Sequence, residues 1–457
     1  MLLKSFFVPN IAHSSYLLAG SETCAIIDPQ RDVAVYLDVA RDLGVRITHV
    51  LETHLHADFI SGHLDLAEAT GAVIYAPRAG DCAFAHEGVA GGDVIRLEDM
   101  SLEVMETPGH TPEHVSYVTR DLSRGDSAVG VFCGDTLFVG DVGRPDLFPG
   151  RARELAGALQ VSLARLLALP DFCEVYPAHG AGSLCGRDMA AKLQSTIGYE
   201  RRHNPALQIA DRDEFIRSLT TDMPAAPDHF ARCSDINRQG PVRVSELSPP
   251  VPLAPTEFRE PMRRGGAELD VRDYDAFGAL HVPGAISIPM SGNLPVFAGW
   301  IIPADAEILL VAADDMAVED AVIWLRRVGH DRAVGYLDGG MHSWAAAGLS
   351  TERVPQISAR ELRKDVSGDG QRLVLDVRSA DEFQHAASRI PGSINIPATQ
   401  VRTRCGELPK DRKIVVVCGS GPRSSMAASL LQRAGFSRVC NVAGGMEGFK
   451  AAGEVME

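Results

Sequence analysis

The residues densest in possible chemistry lie in ETHLHADFISGH, Glu52 to His63, where HLHAD sets two imidazoles and a carboxylate side by side. Residues two apart share a face of an extended chain, so His54 and His56 point together and a strand-end loop can aim Asp58 with them. These are donors that hold a divalent metal. A polar surface loop has the same composition, and a lone HxH does not decide between the two. The next position is Phe59, which offers no lone pair where a second metal would want another histidine.

Further candidates follow along the chain. TPGHTPEH carries His110, GDTLF carries Asp135 and PAHG carries His179, each just after an apolar run and beside glycine or proline. Loops at strand ends are where α/β folds assemble sites, so the ordered set favours metal over a solvated loop. Arg144 and Asp146 sit in GRPDLF, and Cys185 in GSLCG comes six residues after His179. Near the C-terminus, KIVVVCGSGPRSS puts Cys418 after a β-like run and in a glycine-rich loop that opens a helix. Backbone N–H groups and the helix dipole stabilise a thiolate or persulfide anion there, as a sulfur-transfer nucleophile requires.

These residues need elements to position them. The chain has 457 residues, 45% hydrophobic and 23% charged, which suggests soluble globular protein of about three domains. It has no apolar run long enough for a membrane span and no convincing signal peptide, so a cytoplasmic protein without membrane association is expected. A formal charge of −16 argues against a nucleic-acid partner. The nine cysteines form no CxxC pair, which disfavours a disulfide framework or a structural zinc knuckle.

Residues 1–240 alternate short β-like runs with helical stretches and read as α/β layers. Residues 241–264 are proline-dense and read as a linker or surface strap. Beyond them the sequence repeats: LDVRDYDAF from Leu269 returns as LDVRSADEF from Leu375, HVPGAISIP as RIPGSINIP, and LDGGMHSW as VAGGMEGF. Two copies of one small α/β domain with a central parallel sheet, at 265–352 and 355–457, are the economical reading. Aligning the copies puts Ala312 in the place of Cys418 and Ala317 in that of Arg423, with Asp314 and Asp315 between. The first copy should therefore be catalytically dead and serve spacing, dimerisation or docking.

THLHAD, PGHT, GDTLF and PAHG, in this order, resemble the successive metal motifs of the metallo-β-lactamase superfamily, and Asp28 in IIDP matches its early structural aspartate. The resemblance implies an αββα sandwich. Phe59 departs from the HxHxDH of binuclear zinc members. HADFISGH, GDTLFVGDVGRPDL and PAHGAGSLCG are similar to the persulfide dioxygenase branch, particularly to members fused to rhodanese domains. That resemblance implies one Fe(II) per chain on His54, His110 and Asp135, in keeping with the open positions of a 2-His-1-carboxylate triad. His56, Asp58 and His179 then surround these ligands and orient them or bound water, with Asp58 also counted among the catalytic residues. Each of the three, His179 included, could instead be a relic of a binuclear ancestor. Arg144 either binds a carboxylate of a glutathionyl group or braces its loop in a salt bridge. Cys185 is either a pocket thiol or a buried inert cysteine.

The loop from Cys418 to Arg423 resembles the active-site loop of single-domain rhodaneses, and LVLDVRSADEF, with Asp376, Arg378 and Glu382, resembles their first signature. It implies Cys418 and Arg423 as catalytic, with Gly419, Ser420, Gly421 and Ser424 around the substrate. The expected function joins oxidation of a low-molecular-weight persulfide by O2, to sulfite and thiol, with sulfur exchange among persulfide, sulfite and thiosulfate at Cys418. Glutathione persulfide is the expected carrier, and a homo-oligomer the expected assembly. Two other classes stay open: a zinc-dependent thioester hydrolase of glyoxalase II type, against which Phe59 counts, and a sulfur carrier or redox-sensing protein.

Overall fold

A computed structural model of the protein describes residues 1–221, 223, 226–366, 372–384 and 389–454. The chain divides into two compact units, Met1–Leu247 with Arg326–Gly329, and Ser248–Leu325 with His330–Glu457.

The first unit pairs two six-stranded sheets. One holds β1 (Leu2–Val8), β2 (His13–Ala19), β3 (Thr23–Ile27), β4 (Arg46–Leu51), β5 (Val73–Pro77) and β6 (Glu87–Val89) in chain order. The other holds β7 (Val94–Leu97), β8 (Met100–Glu106), β9 (Val115–Asp121), β10 (Ala128–Gly134), β11 (Glu174–Pro177) and β12 (Ser195–Thr196), again side by side in that order. Alternation along a strand separates the layers. Tyr16 and Leu18 of β2, with Ala25 and Ile27 of β3, face Leu102, Tyr117 and Phe132 of the second sheet. Their neighbours Leu17, Cys24 and Ile26 face outward onto Tyr36 and Ala40 of helix Ala34–Leu43. On the far side, Leu159, Leu163 and Leu166 of helix Ala152–Leu166 cover Val131 and Val175. Each such buried aliphatic side chain contributes about 1.5–3 kcal/mol. The result is the expected αββα sandwich.

In the second unit each copy forms a five-stranded parallel sheet. The first contains β13 (Val251–Leu253), β14 (Ala267–Asp270), β15 (Ile286–Ser287), β16 (Ile308–Val311) and β17 (Ala333–Leu337), in the spatial order β13-β17-β16-β14-β15. The second contains β18 (Gln356–Ile357), β19 (Arg372–Asp376), β20 (Ile394–Asn395), β21 (Lys413–Val417) and β22 (Val439–Val442), in the equivalent order β18-β22-β21-β19-β20. Helices cover both faces of such sheets, so their central strands are apolar without alternation, as ILLV of β16 and IVVV of β21 are. LDVR does the same work in both copies: Asp270 accepts from Arg272 Nε at 2.9 Å, and Asp376 from Arg378 Nε at 3.0 Å. One core runs through the pair, joining Leu269, Val282 and Leu310 to Leu375, Val416 and Leu431.

The structure differs from the sequence reading at the proline-dense stretch 241–264. Val251–Leu253 is β13, hydrogen-bonded beside β17, and Pro255–Arg263 is a helix that buries Phe258. Proline fits the first helical turn, where its missing N–H is no loss, and Glu257 accepts from the Ala254 N–H at 3.0 Å to start that turn. The proline density masked a strand and a helix of the first copy. No helix among the described residues is long and apolar enough to cross a membrane.

Candidate active sites

Four strands of the sandwich end beside one another's loops and deliver the metal-type donors. His54 follows β4, His110 follows β8, Asp135 follows β10 and His179 follows β11. The left-handed backbone of Asp28 (φ 51°) lets its carboxylate accept from Thr53 N at 2.7 Å and Thr53 Oγ1 at 2.9 Å, which fixes the end of β4.

His54 Nε2 lies 3.8 Å, and His110 Nε2 3.3 Å, from Asp135 Oδ2, all within a cluster whose ligand atoms are no more than 4.8 Å apart. The hydrogen-bond network assigns the tautomers. Thr53 Oγ1 donates to Asp28, so it accepts from His54 Nδ1–H at 2.9 Å; His110 Nδ1–H donates to the Arg144 carbonyl at 2.9 Å. Both Nε2 atoms therefore present lone pairs, and both are buried without a hydrogen-bond partner. Burial, followed by neighbouring histidines, holds His54 well below its ordinary pKa, and burial lowers that of His110. Burial works to raise the Asp135 pKa, but His179 and His110 hold it below the usual carboxylate range. Two neutral imidazoles and one carboxylate converging on unpartnered atoms fit a metal ion.

The other residues of the motif take different positions. His56 Nε2 sits 3.1 Å from Asp28 Oδ1 and 3.6 Å from Glu52 Oε2; burial opposes its protonation, yet Asp28 and Glu52 raise its pKa. His179 Nδ1 donates to Asp135 Oδ1 at 2.7 Å, and Nε2 lies 2.8 Å from Asp58 Oδ2. Burial opposes the charged form here too, but Asp135 and Asp58 push its pKa well above the ordinary value. Asp58, His179 and Cys185 form a second cluster within 4.8 Å, and burial pushes the Cys185 thiol well upward. Phe59 is fully buried, its ring 4.0 Å from that of His13 and 4.4 Å from that of His56.

Arg144 is buried and committed to its own loop: Nε and Nη2 grip Asp146 at 2.7 and 2.8 Å, and Nη1 donates to the Leu184 carbonyl at 3.0 Å. The Asp146 contact is the one a brace would make, and the backbone carbonyl of Arg144 orients His110. Two contributors escaped the sequence reading. His114 Nε2 accepts from the Asp135 N–H at 3.0 Å and its ring stacks on His54 at 4.8 Å. Its signal was the second histidine of TPGHTPEH. Glu52, at the head of the opening motif, accepts from Ser61 Oγ at 2.5 Å and lies 3.4 Å from His63 Nδ1.

In the second unit, Cys418 directly follows β21 and is almost fully buried. Its Sγ accepts from Gly421 N at 3.1 Å and Ser424 Oγ at 3.2 Å, at the start of helix Pro422–Arg433. Arg423 pairs bidentately with Glu382 at 2.6 and 2.8 Å, which lowers the glutamate pKa to about 2. The loop is backed by Met446 N and Glu447 N, which donate to the carbonyls of Cys418 and Gly419 at 2.8 and 3.0 Å. That approach needs Gly445: at φ 53°, a Cβ there would lie 2.4 Å from the Cys418 oxygen and 2.5 Å from that of Gly419. The GG shared by both repeats was its signal. Ser420 is exposed in the loop. In the first copy Ala312 follows β16 without a thiol, and Asp314 Oδ1 accepts from Ala317 N at 2.9 Å as a helix cap.

Comparison with known proteins matches each part. The metallo-beta-lactamase superfamily matches residues 8–179, and the rhodanese-like domain matches residues 254–347 and again 358–452. The mitochondrial persulfide dioxygenase ETHE1 of Mus musculus is 32% identical over 225 residues, covering 48% of this chain and 80% of that protein. A hydroxyacylglutathione hydrolase of Rhodospirillum rubrum is 38% identical over 204 residues, 44% of this chain and 68% of that one. A crystal structure of a metallo-beta-lactamase from Staphylococcus aureus subsp. aureus COL aligns with TM-score 0.66 and 34% identity, over 74% of this chain and 98% of that one.

Proposed function

From the premise that this chain belongs to the metallo-β-lactamase superfamily and carries tandem rhodanese-like domains, we propose that it is a persulfide dioxygenase with a sulfurtransferase site. The overall change converts RSSH, O2 and water into RSH, sulfite and two protons, with glutathione as the thiol R. The observation that carries the reading is the convergence of two unpartnered histidine nitrogens and one carboxylate, with Phe59 packed against His56 beside them. His54, His110 and Asp135 would hold one Fe(II), which supplies the redox chemistry that activates O2 and that zinc lacks.

The protein's own groups do the rest. Thr53 and the Arg144 carbonyl fix both imidazoles with Nε2 inward, and His114 fixes the backbone of Asp135. His179, charged between Asp135 and Asp58, holds one carboxylate in place and keeps a proton available beside Asp58. The buried Ala57, Phe138, Cys185 and Phe230 form an apolar cluster next to these groups that excludes water. At Cys418, the Gly421 N–H and the Ser424 hydroxyl stabilise negative charge returning to sulfur, and Glu382 orients Arg423 at the loop.

The hydrolase relative supports a second reading, thioester hydrolysis, since Asp58, His179 and Cys185 also bring three donors together. Metal analysis with oxygen uptake on glutathione persulfide separates the two. The dioxygenase reading expects iron-dependent uptake with sulfite formed, abolished in His110→Ala and retained in Cys418→Ser. No uptake by iron-loaded wild type would sink it.

A further inference from the structure

Helix Pro422–Arg433 aims the Cys418 loop, and one of its faces is seated on the cysteine-less copy. Ser425, Ser429 and Arg433, spaced by four, line that face. Ser425 Oγ lies 3.0 Å from Ser287 Oγ, Ser429 Oγ accepts from Ser287 N at 3.1 Å, and Arg433 Nη1 lies 3.3 Å from Glu268 Oε2. Ser287 and Glu268 belong to β15 and β14. The three serines are buried, and an unpaired buried hydroxyl costs about 1–3 kcal/mol, so the pairing fixes the helix in one register against the first copy.

The same stripe leads to the sulfur. Gly421, one turn before Ser425, has φ 127°, and its N–H donates to Cys418 Sγ at 3.1 Å. A Cβ on Gly421 would come within 2.7, 2.9 and 3.0 Å of Cζ, Cε1 and Cε2 of Tyr274. Those carbons form the hydroxyl end of the ring, and Tyr274 opens helix Tyr274–Ala279 of the first copy. One residue on, Pro422 Cβ lies 3.0 Å from the Cβ position of Gly292 in the same copy. The ring of Tyr274 thus stands in van der Waals contact with the residue whose amide holds the sulfur.

We propose that Tyr274 is a specificity-determining residue of the Cys418 site: the copy that lost its own cysteine supplies a wall that admits a small oxyanion acceptor and hinders a thiol the size of glutathione. The inference rests on the sulfur-transfer reading above. In the favoured step a lone pair on the sulfur of sulfite attacks the outer sulfur of the Cys418 persulfide. The S–S bond breaks, its electron pair returns to Sγ as thiolate, and thiosulfate leaves; no proton and no further redox partner is required. In reverse, thiosulfate loads Cys418.

The test compares the full-length wild type with Tyr274→Ala and Tyr274→Phe. Alkylation at Cys418 by iodoacetamide and by N-phenylmaleimide, followed by mass spectrometry, reads the wall without any sulfur chemistry. Transfer from thiosulfate-loaded protein to sulfite and to glutathione reads its consequence. Tyr274→Ala should shift both the bulky-to-small alkylation ratio and the glutathione-to-sulfite kcat/KM ratio upward by about tenfold, while Tyr274→Phe, which keeps the ring, should restore the wild-type ratios. Both ratios within twofold of wild type in Tyr274→Ala would overturn the proposal while leaving sulfur transfer standing. A shifted alkylation ratio in a protein that takes no sulfur from thiosulfate would support the wall and remove the sulfur-transfer reading instead.

Discussion

His179 Nδ1 faces both carboxylate oxygens of Asp135, Oδ1 at 2.7 Å and Oδ2 at 3.0 Å, while Oδ2 also lies 3.8 and 3.3 Å from the Nε2 atoms of His54 and His110. The imidazole that orients this carboxylate thus stands beside the oxygen proposed to meet the metal. Replacing His179 by Gln should therefore weaken iron binding by about 10–100-fold, the usual effect of removing a partner that orients a ligand. Equilibrium titration with Fe(II) under anaerobic conditions measures this directly, without relying on turnover. Unchanged affinity would mean that Asp135 is held by its backbone contact to His114 alone.

Phe59 is fully buried against His13 and His56. Phe59→His returns a nitrogen donor to the neighbourhood of Asp58, His179 and Cys185. The variant should bind close to two zinc ions per chain by elemental analysis, against about one for wild type, and lose oxygen uptake, since zinc has no redox chemistry. Exchanging a buried phenyl for a polar ring should also lower stability by about 1–3 kcal/mol, visible in a denaturant midpoint. A stoichiometry that stays at one would show that Phe59 does not decide the metal count.

Much of this site was legible because metal chemistry uses few residue types, and because strand ends announce themselves as apolar runs that stop at glycine or proline. His54, His110, Asp135 and His179 could be picked out on that ground, and the structure brings them together. The role of Arg144 could not be. Asp146 stands two residues away in the sequence, and only the buried bidentate contact shows that the guanidinium is used there. His114 stands in plain sight inside TPGHTPEH, yet its task depends on a backbone N–H contributed by Asp135, a pairing no local pattern encodes. The proline-dense stretch misled for another reason: proline disfavours helix interiors but suits a first turn, so counting prolines hid the helix Pro255–Arg263. In the repeats LDVR was legible only as a shared stretch, and the structure adds that its Asp and Arg pair in both copies.

The Glu382–Arg423 pair gives the second unit a pH dependence. The Arg423 hydrogen bonds lower the Glu382 pKa to about 2. An unfolded glutamate titrates at about 4.3, so between these values the unfolded chain binds the extra proton and the folded one does not. The contribution is therefore complete above about pH 5 and is lost as pH falls toward 2. Denaturant midpoints of wild type should fall across that range, and Glu382→Gln should flatten part of the slope. The pair is partly exposed, and screening keeps the effect modest. Identical slopes for the two proteins would assign the acid sensitivity to other carboxylates.

Gly445 offers the cleanest separation of the two proposed activities. Its Cβ position lies 2.4 Å from the Cys418 carbonyl oxygen, 2.5 Å from that of Gly419, and its φ of 53° strains any other residue. Gly445→Ala must push the loop away from the backbone that supports it, with a cost of about 1–3 kcal/mol, and so move Sγ relative to the Gly421 N–H and the Ser424 hydroxyl. Thiosulfate-dependent sulfur transfer should drop at least about tenfold, which corresponds to about 1.4 kcal/mol of lost transition-state stabilisation. Oxygen uptake with glutathione persulfide, proposed to depend on residues of the sandwich, should stay within twofold of wild type. Parallel loss of both activities would show that the metal centre requires an intact Cys418 loop and that the two sites do not act separately.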